Sequence, residues 1–438
     1  MQPKDTLSVT DNRTSRSYEI PIVSNTVKAT DFKWISSANE FIGKNAIDRH
    51  TNGLKIMDPG FQNTAVAESD ITYIRDGVKG TIQYRDYSLD ELVEGHDFED
   101  VSHLLIWGRL PSPQEKLDYR LKLATKADPP QCVIDTIKCF PRETPYHLLL
   151  VAGLSAWGAT DPTSIPIYMG KELYLGKMDA VDEGVRRTIG ASMTVIALIN
   201  CHYRGVAFTP PDATAPMAEN ILIMMGIIDP ITGQPDPKMV RILNALWIVY
   251  ADHEMTNSTA ASMLVGSGLA DPMTCVNAAA CALSGPLHGG AIDLAYKMFA
   301  RIGSKENVPQ AIQDVKESKF RLFGYGHRIY KTVDPRVKHL KKALEELWEN
   351  ADADPHVSVA MEIERLASQD DYFRSRNLNV NADLYGCFVF SSMGFQPDII
   401  TALMLAARVS GILAHWREQM GKPATLWRPL QIFTRAKL

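Results

Sequence analysis

Residues 185–204 read VRRTIGASMTVIALINCHYR, and residues 237–254 read PKMVRILNALWIVYADHE. Both carry apolar side chains on nearly every face of a helical turn, not along one stripe. That is the pattern of helices buried on all sides. At 438 residues the chain can enclose a large core around them in one or two domains. Proline and glycine clusters, FTPPDATAP and DPITGQPDPK, punctuate these segments. Towards the N-terminus the period shortens. LSVTDNRTSRSYEIPI (7–22) alternates on both sides of a polar turn and predicts a hairpin. DITYIRDGVKGTIQYRD (70–86) repeats the pattern with Asp76-Gly77 as the turn. SLDELVEGHDFEDVSHLLIWG (88–108) then fits two short helices with polar starts. WENADADPH (348–356) reads as a solvated helix end and loop. The expected fold class is mostly α with a small N-terminal β element.

The bulk composition is that of a globular protein, 45% apolar and 22% charged. A net charge of -5 gives no basic field for nucleic acid, though a local basic cluster for a small anion fits. The six cysteines, none spaced C-x-x-C, read as reduced intracellular thiols with packing roles. No apolar run reads as long enough to span a bilayer, so no membrane partner is expected. The N-terminal twenty residues lack an apolar stretch and carry Asp5, Asp11 and Glu19, unlike a transit peptide. The chain ends Ala-Lys-Leu, a close variant of the Ser-Lys-Leu peroxisomal address. The expected location is therefore the peroxisome or the cytoplasm.

Four stretches could carry chemistry. ADHEMTNSTAASMLVGSG (251–268) presents His253, Asn257 and Ser258. LSGPLHGGAIDLAYKM (283–298) holds His288 between Pro286 and Gly289-Gly290. FGYGHRIYKTVDPR (323–336) sets His327 beside Gly324 and Gly326, followed by Arg328, Lys331 and Arg336. NLNVNADLYGCFVFSSMG (377–394) has one carboxylate, Asp383, before an apolar run, where a helix N-cap is its bland role. Most histidines in a protein are satisfied structural groups. Glycine beside two of these permits close backbone approach to a ligand, and both lie on turns between helices.

The spacing gives no support to several other chemistries. His253, His288 and His327 stand 35 and 39 residues apart, and no H-x-x-x-H pair supports a metal. There is no G-x-S-x-G elbow for a serine hydrolase. GYGHRI lacks the third glycine of a dinucleotide loop. Three histidines and one carboxylate suit enolisation. The carboxylate takes a proton from carbon beside a carbonyl while donors hold the enolate oxygen. Arg336, Arg408 and Arg428 suit a dicarboxylate partner.

Together, in this order, the motifs ADHE..NST, GPLHGGA, FGYGHR.YK..DPR and N.DLY resemble those of citrate synthases, and TAVAESDITYIRDGVKGTIQYRDYSLDEL (64–92) is similar to their N-terminal segment. The resemblance runs from about Leu7 to Arg428. It implies a two-domain helical homodimer. The large domain would span 1–287, a small acyl-CoA-binding domain 288–386, and 387–438 would return to the large domain as a C-terminal arm. It implies condensation of an acyl-CoA with oxaloacetate, then thioester hydrolysis, with no permanent cofactor and coenzyme A thioester as substrate. Asp383 resembles the base, His288 the donor to the thioester oxygen, and His327 the group activating the ketone. His253, Arg336 and Arg408 resemble oxaloacetate ligands, and Arg428 the arginine that reaches the partner subunit's site. Gly324, Gly326, Arg328 and Lys331 would meet coenzyme A. Two positions depart from the family. Ile292 stands where Asn is common, and Met404 where Phe is common, four residues before the substrate arginine. Methionine is adaptable, so an acyl group larger than acetyl is expected, as in methylcitrate or alkylcitrate synthases. The alternatives are a plain citrate synthase and a catalytically silent binder of the same ligands.

Overall fold

The computed structural model describes residues 5–36, 53–75, 80–348 and 354–432. The Asp76-Gly77 turn, residues 349–353 of the solvated stretch, and the C-terminal tripeptide lie outside them.

The chain divides into two compact units, residues 1–68 and 69–438. In the first, β1 (Thr6–Asp11) and β2 (Arg16–Pro21) form the expected antiparallel hairpin, with Thr6 opposite Pro21 and Asp11 opposite Arg16. Asp11 shapes the turn. Its carbonyl accepts from the N–H groups of Thr14 and Ser15, and its carboxylate accepts from Arg13. The hydroxyls of Thr6 and Ser8 donate to Glu19 across the pair.

The second unit begins with a three-stranded antiparallel sheet, β3 (Thr72–Arg75), β4 (Thr81–Tyr84) and β5 (Tyr87–Ser88). The two helices expected next are Leu89–Gly95 and Phe98–Trp107. Each starts on a reciprocal capping box, Ser88 with Glu91 and Asp97 with Asp100, so the polar starts satisfy N–H groups that the helices cannot. The two segments read as buried helices are Met178–Arg204 and Pro237–Tyr250.

The hub is the helix Ile400–Met420, which packs on Met178–Arg204, Phe98–Trp107, Pro237–Tyr250, Asn257–Gly266 and Pro272–Leu283. It corrects one expectation. Pro397–Met420, with a mean hydropathy of 1.5, is long and apolar enough to cross a membrane by composition. Every residue of that apolar window is buried inside the protein. Two of its polar side chains are anchored on neighbouring elements: Ser410 bonds Ser102, and Arg408 donates to Tyr250. The apolar run is the axis of a globular core, because helices surround it on all sides. All six cysteines are free thiols. Cys201, Cys275 and Cys387 are buried, but Cys132, Cys139 and Cys281 are exposed, so the packing role expected of them holds for only three.

Candidate active site

Backbone pairing gathers two of the four stretches. The His327 loop is zipped to residues 379–382. Gly326 N–H donates to Asn379 O, Asn381 N–H to Gly324 O, and Asp334 N–H to Val380 O. The Asn381 amide adds a bond to Gly326 O. Gly324 and Gly326 sit at φ 84 and 80, where a side chain is strained. Their missing side chains face the protein. A Cβ on Gly324 would lie within 2.9 Å of Leu384, and one on Gly326 2.9 Å from Leu378. These glycines let the loop close on Leu378 and on the helix Asp383–Ser392, which answers their presence differently from approach to coenzyme A. Asp383 is the first residue of that helix and not its cap. Ala382 holds the cap position and has no capping bond.

The proton positions on two histidines follow from backbone donors. His288 Nε2 accepts from Ser258 N–H at 3.2 Å, with Ser258 Oγ at 2.8 Å. An amide N–H can only donate, so Nε2 is bare and Nδ1 carries the proton. Burial, helped by the Arg408 charge, brings the His288 pKa down to about 4, so the ring is neutral. His327 is the mirror case. Its Nδ1 accepts from Ile329 N–H at 3.1 Å and Tyr330 N–H at 3.3 Å, which puts the proton on Nε2. His253, at the buried end of the Pro237–Tyr250 helix, stands 5.3 Å from the His327 ring and 3.0 Å from the Tyr330 hydroxyl through Nε2. Burial, then the charges of Arg336 and Arg408, hold its pKa well below the usual histidine value.

The two arginines are positioned differently. Arg408 donates through Nε to the carbonyl of Tyr250 at 2.7 Å. Its cation therefore sits at the negative end of that helix. The Tyr84 hydroxyl lies 3.1 Å from the Ile248 and Asp252 carbonyls, so sheet and hub helix both clamp the same helix end. Beneath it, Asp252 Oδ2 stands 3.3 Å from His415 Nε2. Arg336 is gripped by Asp334 through Nε at 3.0 Å and Nη2 at 2.6 Å. Asp334 also accepts from Ala382 N–H, one residue before Asp383. Burial raises the Asp383 pKa to about 6, opposed by Arg336 and reinforced by Asp334. No described residue donates a hydrogen bond to its carboxylate, which leaves both oxygens as proton acceptors.

His253, His288, His327, Arg336, Arg408 and Asp383 are thus one electrostatically linked cluster, as their mutual pKa effects require. Met404 joins its edge. It lies three residues after Thr401, whose hydroxyl reaches Gly289 O, and four before Arg408, so the three share a helix face. Ile292 is fully buried and faces Gly386. Arg328 and Lys331 are exposed beside His327, and Lys331 Nζ donates to the carbonyls of His327 and Arg328. Two expected residues stay outside the cluster. Asn257 is exposed, and Arg428 is exposed on the extended segment after the hub helix. Three residues were missed: Tyr330 behind His253, Asp334 behind Arg336, and Tyr250. Only Asp334 had a local signal, the Asp-x-Arg spacing of a tight turn. Among the described residues no group of three or more His, Cys, Asp or Glu could hold a metal.

Neutral donors and a raised carboxylate around two arginines suit carbanion formation beside a carbonyl. Comparison with known proteins points the same way. The family model for the citrate synthase C-terminal domain matches residues 60–430. A citrate synthase-like protein, oryE, of Aspergillus oryzae is 44% identical over 98% of this chain and 96% of its own. The alkylcitrate synthase phiJ of a fungal species is 38% identical over 98% and 93%. The citrate synthase of Thermoplasma acidophilum, solved with carboxymethyl coenzyme A and oxaloacetate, superposes with a TM-score of 0.77 at 28% identity, over 86% of this chain and 96% of that one. The chain belongs to the citrate synthase family, the transferases that condense an acyl-CoA with oxaloacetate.

Proposed function

We propose that this enzyme joins the α-carbon of an acyl-CoA larger than acetyl to the ketone of oxaloacetate and then hydrolyses the resulting thioester. Asp383 removes the α-proton. His288 donates from Nδ1 to the thioester oxygen and holds the enol. His327 donates from Nε2 to the ketone oxygen, which raises the electrophilicity of the carbon under attack. Arg336 and Arg408 bind the carboxylates of oxaloacetate with His253 between them. No permanent cofactor takes part. The pair of fixed histidine tautomers carries this reading, because each ring offers a proton and the carboxylate opposite can receive one.

The larger acyl group is supported by the flexible Met404 on the face between the His288 loop and Arg408, and by the relative named alkylcitrate synthase. Arg328 and Lys331 would pair with coenzyme A phosphates. The working form is a homodimer in which Arg428 reaches the partner's site, and residues 288–386 are the smaller domain that closes on acyl-CoA. The Ala-Lys-Leu tail supports a peroxisomal address.

Steady-state release of coenzyme A, followed with a thiol reagent across acetyl-, propionyl-, butyryl- and hexanoyl-CoA, tests the reading. A kcat/KM that holds or rises with chain length is expected. A hundredfold preference for acetyl-CoA over both propionyl- and hexanoyl-CoA makes the protein a plain citrate synthase. Release with none of the four makes it a silent binder.

A further inference from the structure

Tyr250 is the last residue of the helix Pro237–Tyr250, and its carbonyl is held by Arg408. The ring has the Arg336 guanidinium 5.9 Å from its centroid and stacks with Phe390 at 6.5 Å. Its hydroxyl is buried and has no hydrogen-bond partner among the described residues. A buried phenol O–H without a partner is destabilising, and phenylalanine would fill the same space without that cost. The hydroxyl is pressed against Gly386. A Cβ there would lie 2.2 Å from the phenol oxygen and 3.2 Å from Ile292 Cδ1. Glycine inside a helix costs stability relative to alanine. Two unfavourable choices therefore meet at one point, and each is explained by a hydroxyl that must stand there.

Gly386 is three residues beyond Asp383, so the two share a helix face. The charged and titratable groups that act on Tyr250 are Arg336, Asp383, Asp334 and Cys387. Only the carboxylates are good acceptors. Both oxygens of Asp334 are engaged, Oδ1 by Arg336 and Oδ2 by Arg336 and Ala382 N–H. Asp383 has both oxygens available.

We propose that Tyr250 is a positioning residue for the base: its O–H donates to the Asp383 carboxylate when substrates seat, and aims the other oxygen at the α-carbon. This rests on Asp383 being the base. The groups that face Asp383 are Arg336, Asp334 and Arg321 from their loops, Cys387 on its own helix, and the Tyr250 phenol. A donor to the ionised carboxylate favours that form, so its loss moves the acid limb of activity to higher pH.

Tyr250→Phe and Asp383→Asn, assayed side by side on the full chain, test this. Tyr250→Phe should lower kcat roughly tenfold or more, the scale of one hydrogen bond to a charged group. It should shift the acid limb of kcat, which reports the substrate-bound enzyme, upward, leave KM for oxaloacetate little changed, and leave Tm equal or higher. An unshifted acid limb overturns the proposal, whether kcat is retained, KM for oxaloacetate rises, or Tm falls. An active Asp383→Asn enzyme overturns the assignment of the base instead.

Discussion

Asp383→Asn should give a protein that is nearly inactive and more heat-stable at neutral pH. Enclosure at the start of its helix lifts the carboxyl from 3.8 to about 6. Holding that group ionised near pH 7 therefore costs about 3 kcal/mol, at 1.36 kcal/mol per pH unit, less whatever solvent screens at a half-buried side chain. The raised value fixes the sign. The folded state binds the proton more tightly than the unfolded chain. That contribution to stability is complete below about pH 4 and is lost as pH rises through about 6. Asparagine has the same shape and no charge, so it keeps what the wild type loses. For a unit the length of residues 69–438, the gain is about 4 °C in Tm. Turnover should fall roughly 100-fold or more, the scale of general-base catalysis, while oxaloacetate binding persists. Thermal melts of both proteins at pH 4, 6 and 8, beside coenzyme A release, measure this. Curves that coincide at pH 4 and separate by pH 8, with the variant higher, are expected. An Asn variant less stable at pH 8, a gap that ignores pH, or turnover near wild type refutes the reasoning.

Met404→Phe should move preference back towards acetyl-CoA. Each methylene that finds an apolar surface is worth about 0.8 kcal/mol, or roughly fourfold in kcat/KM, and a rigid ring removes that surface. An unchanged acyl-CoA profile reduces Met404 to packing. Asp383→Asn and Arg428→Ala chains, each inactive alone, should recover activity in isolated heterodimers, because one site then carries neither defect. Confirmed heterodimers without activity remove Arg428 from the partner's site. A fluorescent reporter ending in the last dozen residues should enter peroxisomes only with a free Ala-Lys-Leu carboxyl terminus. A diffuse signal ends that assignment.

The helices, the hairpins and the candidate site residues His288, His327 and Asp383 were legible because each rests on local signals: all-round apolarity, alternation, histidines beside glycine, and a lone carboxylate before an apolar run. The packing that turns these residues into a site was not. Nothing near His288 in the sequence announces Ser258, and nothing near Arg336 announces that its aspartate also holds Ala382. Those contacts join segments far apart in the chain. In the sequence the two loop glycines look like openings for a nucleotide. Their positive φ and their contact with Leu384 and Leu378 have a tertiary cause that no short window contains. The length of the apolar run at Pro397–Met420 was underestimated, and only the five helices packed around it show that its apolarity serves the core.

The amides that set the protons of His288 and His327 belong to the main chain, and main-chain groups survive almost any substitution. Acid–base geometry is thereby insulated from genetic drift in the surrounding side chains. A side chain proposed to meet the acyl tail, such as Met404, has no such protection, because its chemistry changes with each substitution. A lineage built on this site can broaden or narrow its diet of thioesters one residue at a time, without having to reinvent how the carbon is activated.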